Sequence, residues 1–384
     1  MSLKNKEQSQ KGTLLIVANV DWIFILHRMA IALEAIEKGY NVVVLAKDSG
    51  RADEIRAKGI TFVNLEITRS GTSPLQELQA IYNMFKIYRK LNPVLVYQVT
   101  MKPVIYGTLI SKFLKIPTVN GISGLGYNFT GQRRGFVQNT MVRLMRFAFN
   151  KHNNHLVFEN KDDWQELQAL KVFSKTTAST IVKGVGVNLK FFSVTPQKNT
   201  EKTVILLPTR MLWDKGVREF IEAAILLRAK HEGKVFFKLC GMEDTGNLQA
   251  VPASYLYQNR IEGFLEWFGF QEDMVTEYRQ ADIVVLPSYR EGMPTSLIEA
   301  CAASLPIVTT DVIGCKECVE EGKNGYKVPV KSIKELATAM EKLILSKEDR
   351  IQMGAYSRKK AEREFDQKEV VAKHMEIFQQ LLGD

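Results

Sequence analysis

No apolar run in the 384 residues reaches the roughly 18 needed to cross a bilayer as a helix, and no charged-then-apolar leader opens the chain. The expectation is a protein that neither spans a membrane nor is exported by that route. There is no G-x-G-x-x-G dinucleotide fingerprint and no Asp-x-Asp pair of the kind that holds a divalent cation, so no cofactor and no required metal are expected. Cysteine is scarce. Cys240, Cys301, Cys315 and Cys318 sit in core or helix-start contexts, and Cys315 and Cys318 have the spacing of a redox or ligand pair, but no second pair completes a zinc site. Packing in a reducing cytoplasm is expected. No repeat of solenoid period and no low-complexity tract occurs. What is present, 45% hydrophobic and 24% charged residues, is ordinary globular composition at a length that fits two or three domains. Residues 1–11 are polar and unpatterned and are read as a flexible tail.

Acidic residues are missing from one long stretch. Between Leu78 and Phe158 there is none, while Lys86, Arg89, Lys112, Arg133, Arg134, Arg143 and Arg146 all fall there. Residues 1–185 carry 25 Lys and Arg against 13 Asp and Glu, and the remainder carries 27 against 29. Scattered surface charge would not segregate this way, so the first half is expected to face something anionic. A nucleic acid would want aromatic platforms interleaved with the cations, or a recognised binding module, and neither is present.

The stretch that organises the chain lies late. Ile283 to Leu286 is an apolar, β-branched run closed by Pro287, which reads as a buried strand. Thr295 reads as an N-cap, with Leu297, Ile298, Ala300 and Ala302 as the apolar positions of the helix that follows. Strand, loop and helix N-terminus together make a place where free N–H groups meet a phosphate. Gly292 allows close backbone approach. Glu291 and Glu299 are at most about 12 Å apart if the residues between them are helical. That is too far to share a proton and suited to holding two parts of one extended ligand. The alternative is that Glu299 complements the helix dipole and Glu291 is a solvated loop charge.

Glu291-Gly292-Met293-Pro294-Thr295-Ser296-Leu297-Ile298-Glu299 resembles the E-x7-E signature of retaining glycosyltransferases of family 4. The resemblance implies an α/β chain of the GT-B fold, two facing Rossmann-like domains with parallel sheets and an interdomain cleft. It is carried further by Arg210 and Lys215, which match the pair that embraces the nucleotide diphosphate, by Gly314-Cys315-Lys316-Glu317, and by Gly184-Val185-Gly186-Val187-Asn188, where Asn188 stands in place of the usual aspartate. By that resemblance Arg210, Lys215 and Glu291 are catalytic, and Gly241, Gly292, Met293, Thr295 and Glu299 bind the donor. The physical need is that a departing diphosphate leaves negative charge, which cations fixed in advance stabilise most in the transition state.

The first half is less complete. Thr13 to Ala18 and Asn41 to Ala46 read as strands around a helix ending at Gly39, a βαβ start, but the glycines that many relatives place in the first loop are missing. Asp21-Trp22…His27-Arg28, Lys102-Pro103 and Gly124-Leu125-Gly126 resemble segments of family members that act on polyprenyl-diphosphate-linked saccharides. Lys102 lies at a strand's carboxyl end, where a cation can meet a phosphate. His27 is read either as a substrate contact or as a packing residue. A histidine frequent in the family at the end of the strand before Gly121 is absent, and either Asn120 or Ser123 serves locally or the sugar contact is made elsewhere. Helix 133–149 has an apolar face of Val137, Met141, Leu144, Met145 and Ala148 flanked by Arg133, Arg134, Arg143 and Arg146. It reads either as a membrane-surface helix or as a core helix with wet arginines.

The expected organisation is an acceptor domain over 12–190, rejoined by a terminal helix 367–384, and a nucleotide-sugar domain over 200–366. The resemblance implies transfer of a hexosyl or N-acetylhexosaminyl group from a nucleotide sugar, UDP by family frequency, to a lipid-linked saccharide. The expected location is the cytoplasmic side of an anionic membrane. The alternatives are an enzyme like UDP-N-acetylglucosamine 2-epimerase, or a transferase with a soluble acceptor.

Overall fold

The computed structural model describes residues 11–66, 74–125, 136–150, 153–192 and 201–383. Two compact units divide the chain: the first runs to Val185 and is rejoined at Glu369, and Gly186–Lys368 form the second. The division falls before residue 190 because Val187 and Phe192 belong to the second unit's core, and Val187 bridges to Asp366.

The first unit begins with β1 (Thr13–Val20), α1 (Asp21–His27), α2 (Met29–Glu37), β2 (Asn41–Lys47), α3 (Ala52–Arg56) and β3 (Thr61–Asn64). It continues with α4 (Pro74–Leu91), β4 (Leu95–Val99), α5 (Met101–Leu114), β5 (Thr118–Ile122), α6 (Phe136–Phe149), β6 (Asn154–Phe158), α7 (Lys161–Ala169) and β7 (Ala178–Ile181). Among the described residues its sheet has seven parallel strands in the order β3-β2-β1-β4-β5-β6-β7. The period-2 alternation of β1 divides two cores. Leu14, Ile16 and Ala18 pack with Ile31, Ala35 and Ile55 of α2 and α3, while Leu15 and Val17 pack with Met84, Tyr88 and Ile110 of α4 and α5. Helices α4, α5 and α6 are successive neighbours on the second face.

In the second unit come β8 (Thr203–Pro208), a 3₁₀ turn (Trp213–Lys215), α8 (Val217–His231), β9 (Val235–Cys240), α9 (Ala253–Gln258), β10 (Leu265–Trp267), α10 (Met274–Gln280) and β11 (Ile283–Leu286). Then follow α11 (Thr295–Ala302), β12 (Ile307–Thr310), α12 (Cys315–Cys318), β13 (Gly325–Val328), α13 (Ile333–Leu345) and α14 (Lys347–Glu364). Its parallel strands run β10-β9-β8-β11-β12-β13, the same winding as the first six of the other sheet. The final helix α15 (Gln367–Leu382) returns Val370, Met375 and Phe378 to the first unit's core, where the Tyr97 hydroxyl lies 3.0 Å from His374 Nε2. All four cysteines are free and buried.

Three local expectations change. The first helix is broken at Arg28, whose backbone leaves helical geometry and whose guanidinium is drawn into the protein toward Ser123 and Glu159. Strand β5 runs on to Ile122, paired with Phe158, so Asn120 lies inside the strand and not at its end. Thr295 is the first helical residue of α11; Pro294 occupies the N-cap and no side chain caps the helix.

Candidate active site

Ligands of a doubly wound sheet collect outside the carboxyl ends of the strands, where the winding reverses. In the second unit the reversal lies between β8 and β11. Arg210 follows β8, Gly241 follows β9 and Glu291 follows β11, so three expected site residues emerge at one edge of one sheet. Backbone contacts lock these loops together. Thr209 N–H donates to Cys240 O at 3.0 Å, Gly241 N–H to Gly269 O at 2.7 Å, and Tyr289 N–H to Asp214 O at 2.8 Å. Glycine is required at two of the joints. Gly216 has φ +74°, and a Cβ there would sit 2.2 Å from Pro287 O. Gly314 has φ +81°, and its Cβ would sit 2.5 Å from Gly292 O, so the close backbone approach assigned to Gly292 depends on a glycine 22 positions on.

The cations of this edge are held by carboxylates. Lys215 Nζ lies 2.5 Å from Glu291 Oε1, with both side chains 14% exposed. Arg210 donates through Nη1 to Asp244 Oδ2 at 2.5 Å, which leaves Nε and Nη2 without a hydrogen-bond partner among the described residues. One corner of the guanidinium fork is thus fixed and the other is open to a bidentate anion. Asp214, next to Lys215, has its carboxyl pushed up chiefly by burial, with Lys215 opposing and Glu291 adding to the shift.

Glu299 stands on the first turns of α11. Burial pushes its carboxyl up to about 7, opposed by the Tyr278 hydroxyl, which lies 3.0 Å from Glu299 Oε2 and 3.0 Å from Ser296 O. The amides of Thr295 and Ser296, in the first helical turn, have no acceptor within α11. Met293 is buried with its sulfur 3.7 Å from the Cys318 thiol, so only its backbone is placed to meet a ligand. Asp214, Asp244 and Tyr278 are site groups that the sequence analysis missed. Asp214 sits beside Lys215 in the chain and could have been noticed; nothing in the spacing of the other two announces the contact.

The first unit does not assemble its expected residues in the same way. Asn120 is fully buried, its amide donating to Asn154 and accepting from the Thr108 hydroxyl at 2.9 Å, which makes it part of the sheet's internal wiring and no substrate contact. Lys102 is 2.5 Å from Glu77 Oε1, a pairing of the same length as Lys215 with Glu291. Ser123 is exposed and accepts from Arg28 Nη2 at 3.1 Å, while His27 ends α1 half-buried and its carbonyl accepts from Arg28. Arg28 also lies 3.5 Å from Glu159, whose carboxyl burial pushes up and Arg28 and Ser123 draw down. Asp21 is a buried clamp that accepts from Ser49 N at 2.7 Å, Arg51 N at 3.0 Å and Trp22 N at 2.7 Å. Thr100, at the end of β4, has φ +70° and ψ 150°, a strained conformation for a residue with a Cβ.

Helix α6 divides the apolar face expected of it. Met145 and Ala148 are buried in the first unit together with Val142, Leu144 is 38% exposed, and Arg146 donates to Leu170 O at 2.6 Å. Arg143 is exposed; Arg133, Arg134 and the side chain of Val137 lie outside the described residues. No helix among the described residues is long and apolar enough to cross a membrane.

Residues 190–360 match the family described as glycosyl transferases group 1, and residues 13–160 match glycosyl transferase 4-like. The chain is 26% identical over 375 residues, 92% of its length and 95% of the relative's, to the N,N'-diacetylbacillosaminyl-diphospho-undecaprenol alpha-1,3-N-acetylgalactosaminyltransferase of Campylobacter jejuni. It is 23% identical over 304 residues, 75% of its length and 77% of the relative's, to the capsular polysaccharide biosynthesis glycosyltransferase CapM of Staphylococcus aureus. In three dimensions it resembles sucrose-phosphate synthase from Thermosynechococcus elongatus, with TM-score 0.79, 15% identity and 97% and 100% of the two chains covered. It also resembles Anabaena HepE in complex with UDP and glucose, with TM-score 0.79, 17% identity and 96% and 100% covered. At such identities the structural likeness speaks for the fold.

Proposed function

This chain belongs to the glycosyl transferases of group 1 and is a glycosyltransferase of the GT-B fold, and from that premise we propose its donor, its acceptor and its stereochemical course. The donor is a nucleotide-linked hexose or N-acetylhexosamine, with UDP as the nucleotide. The acceptor is a polyprenyl-diphosphate-linked saccharide, and the anomeric configuration is retained. The product belongs to cell-surface polysaccharide or glycan synthesis. Two relatives support the reading, one named for a diphospho-undecaprenol-linked acceptor and one for capsular polysaccharide biosynthesis, and a structural neighbour holds UDP.

The single observation that carries it is the Lys215–Glu291 contact, which sets a diphosphate-seeking cation beside a hydroxyl-seeking carboxylate at the carboxyl end of the sheet. In this reading Glu299 accepts from the ribose hydroxyls, and the first-turn amides of α11, with Gly292 and Gly241, line the nucleotide. Glu291 accepts from hydroxyls of the donor sugar. The bond from the anomeric carbon to the diphosphate oxygen breaks with its electron pair going to the diphosphate, where Arg210 and Lys215 neutralise it. The acceptor hydroxyl bonds to the same face of that carbon and gives its proton to the departing diphosphate oxygen. Charge neutralisation by these two side chains needs no metal.

The acceptor is presented by the first unit on the inner face of an anionic membrane, with Arg143 among the cations that meet it. Ser123 and His27 are the remaining candidates for acceptor contact. The test supplies radiolabelled UDP-sugars with membranes and follows label into the lipid fraction. Label that stays water-soluble with every donor sinks the lipid acceptor. Conversion of the UDP-sugar with no acceptor present marks an epimerase instead.

A further inference from the structure

We propose that the outer surface of α4, α5 and α6 is a bilayer-docking face that inserts aromatic side chains below the headgroups of an anionic membrane. The inference rests on the lipid-acceptor reading and deepens it by replacing the single basic helix with a three-helix surface. On α4 the residues facing away from Met84 and Tyr88 are themselves apolar: Leu78 is 63% and Tyr82 53% exposed. Phe113, at the end of α5, is 76% exposed and meets the ring of Phe85 at 5.9 Å, and on α6 Phe147 is 63% exposed. These helices lie side by side in one layer, so the exposed residues are spread across neighbouring elements of one unit. Isolated exposed apolar residues need no explanation, but a run of them across three adjacent helices does.

The charges identify the occupant. After Glu77 no acidic residue occurs before Glu159, so every ionisable group that α4 offers beyond Glu77, and every one on α5 and α6, is basic or a phenol. Two of the cations sit directly on exposed rings: the Lys86 ammonium is 4.3 Å from the Tyr82 centroid, and the Lys112 ammonium, which also donates to Phe147 O at 2.8 Å and Asn150 O at 3.1 Å, is 4.1 Å from that of Phe147. A ring at the acyl boundary with an ammonium at phosphate level is the arrangement of interfacial side chains. Cations near an anionic leaflet contribute about 1 kcal/mol each, and the rings add an apolar part that salt does not screen.

The full chain is sedimented with phosphatidylcholine vesicles, with and without about a quarter phosphatidylglycerol. It is expected to pellet at least tenfold more with the anionic vesicles, and a fraction should remain bound at about 0.5 M salt. Phe113→Ser with Phe147→Ser should abolish the salt-resistant fraction, and Lys86→Glu should weaken the salt-sensitive one, both with UDP binding intact. Failure to pellet with anionic vesicles overturns the proposal, as does salt-resistant binding that survives loss of both rings. So does a dimer in solution that the two serines convert to a monomer while vesicle binding is unchanged. Vesicle binding without any nucleotide binding would leave this face standing and remove the donor reading.

A different contact carries a second inference: we infer that Tyr278 is a positioning residue for Glu299. Its ring is 1% exposed and fixed edge-on against Phe192 at 5.7 Å, and its hydroxyl reaches both Glu299 Oε2 and Ser296 O from α10, an element with no other expected site residue. Holding Oε2 leaves Oε1 without a partner among the described residues and turned over to a ligand. The other group that bears on this hydroxyl is the Cys240 thiol, itself pushed up to about 12 by burial and uncharged. Removing the hydroxyl therefore raises the pH at which Glu299 ionises.

Tyr278→Phe keeps the packing and deletes the proton. UDP affinity measured by calorimetry should fall about tenfold near pH 7 and recover above about pH 8.5, with turnover at saturating donor within about twofold of wild type. A loss equal at all pH values, or none, overturns the assignment. The unliganded stability profile reads the same shift without nucleotide, so it separates this failure from failure of the donor reading. It should move to higher pH in Tyr278→Phe.

Discussion

The two units share a winding and differ in how they use their polar side chains. In the second unit the charges of the site are paired across loops and stop at the strand ends, Lys215 with Glu291 and Arg210 with Asp244, leaving donors and acceptors turned outward. In the first unit the equivalent edge is tied inward: Asp21 grips the β2–α3 loop, Lys102 is bound by Glu77, and Arg28 is shared by Ser123 and Glu159. The same sheet topology thus supports one edge built for small charged ligands and one built mainly to hold itself together, with its cations moved to the helix layer outside. Topology sets where a site can be, and the partnering of side chains decides whether it is one.

The sharpest way to break that contrast is to exchange the roles. Lys215→Ala should lower turnover by about 10²–10³-fold with a smaller change in donor KM, whereas Lys102→Ala should stay within about threefold of wild type. Comparable losses in steady-state kinetics would erase the distinction. Next in size, Asp21→Asn should cost about 2–3 kcal/mol of stability, because its NH2 would face the Ser49 and Arg51 N–H groups in one orientation and the Trp22 N–H and Ser49 hydroxyl in the other. Denaturant melts check this, and kcat of the folded fraction should not move. The Asp21 carboxyl is held below its usual value by hydrogen bonds from Ser49, Arg51 and Trp22 that outweigh burial. Its stabilisation is therefore present above about pH 4 and lost as pH falls through the lowered folded value.

Glu299 runs the other way. Its pKa rises from 4.5 to about 7 on folding, so the folded state keeps a proton that the unfolded chain has shed. Its contribution to stability falls as pH climbs from about 5 to 7, while UDP affinity, on the proposed contact of the ribose with the carboxylate, is expected to climb over the same window. Melting temperature and calorimetric affinity followed together should move in opposite directions, and Glu299→Gln should flatten both. The smallest effect expected is none: excess chelator should leave the transfer rate unchanged, and a loss restored by added divalent ion would assign charge neutralisation to a metal.

Much of the second unit was legible because its site is written locally. Arg210, Lys215, Glu291 and Glu299 each sit within a few residues of a strand end or helix start that periodicity identifies, and the family resemblance named them together. What escaped were partners fixed only by folding: Asp244 comes to Arg210 from 34 residues away and Tyr278 to Glu299 from 21. In the first unit the errors have one cause. Asn120 was taken for the end of its strand because glycine follows it, yet β5 continues through Gly121 to Ile122, and the apolar face read on α6 is divided, with Met145 and Ala148 packed on the core and Leu144 exposed. Amphipathic spacing shows that a helix has a preferred side and does not say what lies on that side. The exposed rings of Phe113 and Phe147 could not be found by periodicity, since each sits off the main stripe of its helix.

Helix α15 has a consequence for synthesis. Met375, Ile377 and Phe378 fill the core that β1 begins, and His374, buried and held uncharged with a pKa pushed down to about 4, meets Tyr97 there. A nascent chain emerging from the ribosome therefore cannot close its opening half until residues 369–382 have come out of the exit tunnel. The intervening half, Gly186–Lys368, has all its own strands by then and is free to fold first. Early stops in the last helix should accordingly yield molecules with a sound second lobe and an unsealed amino-terminal lobe.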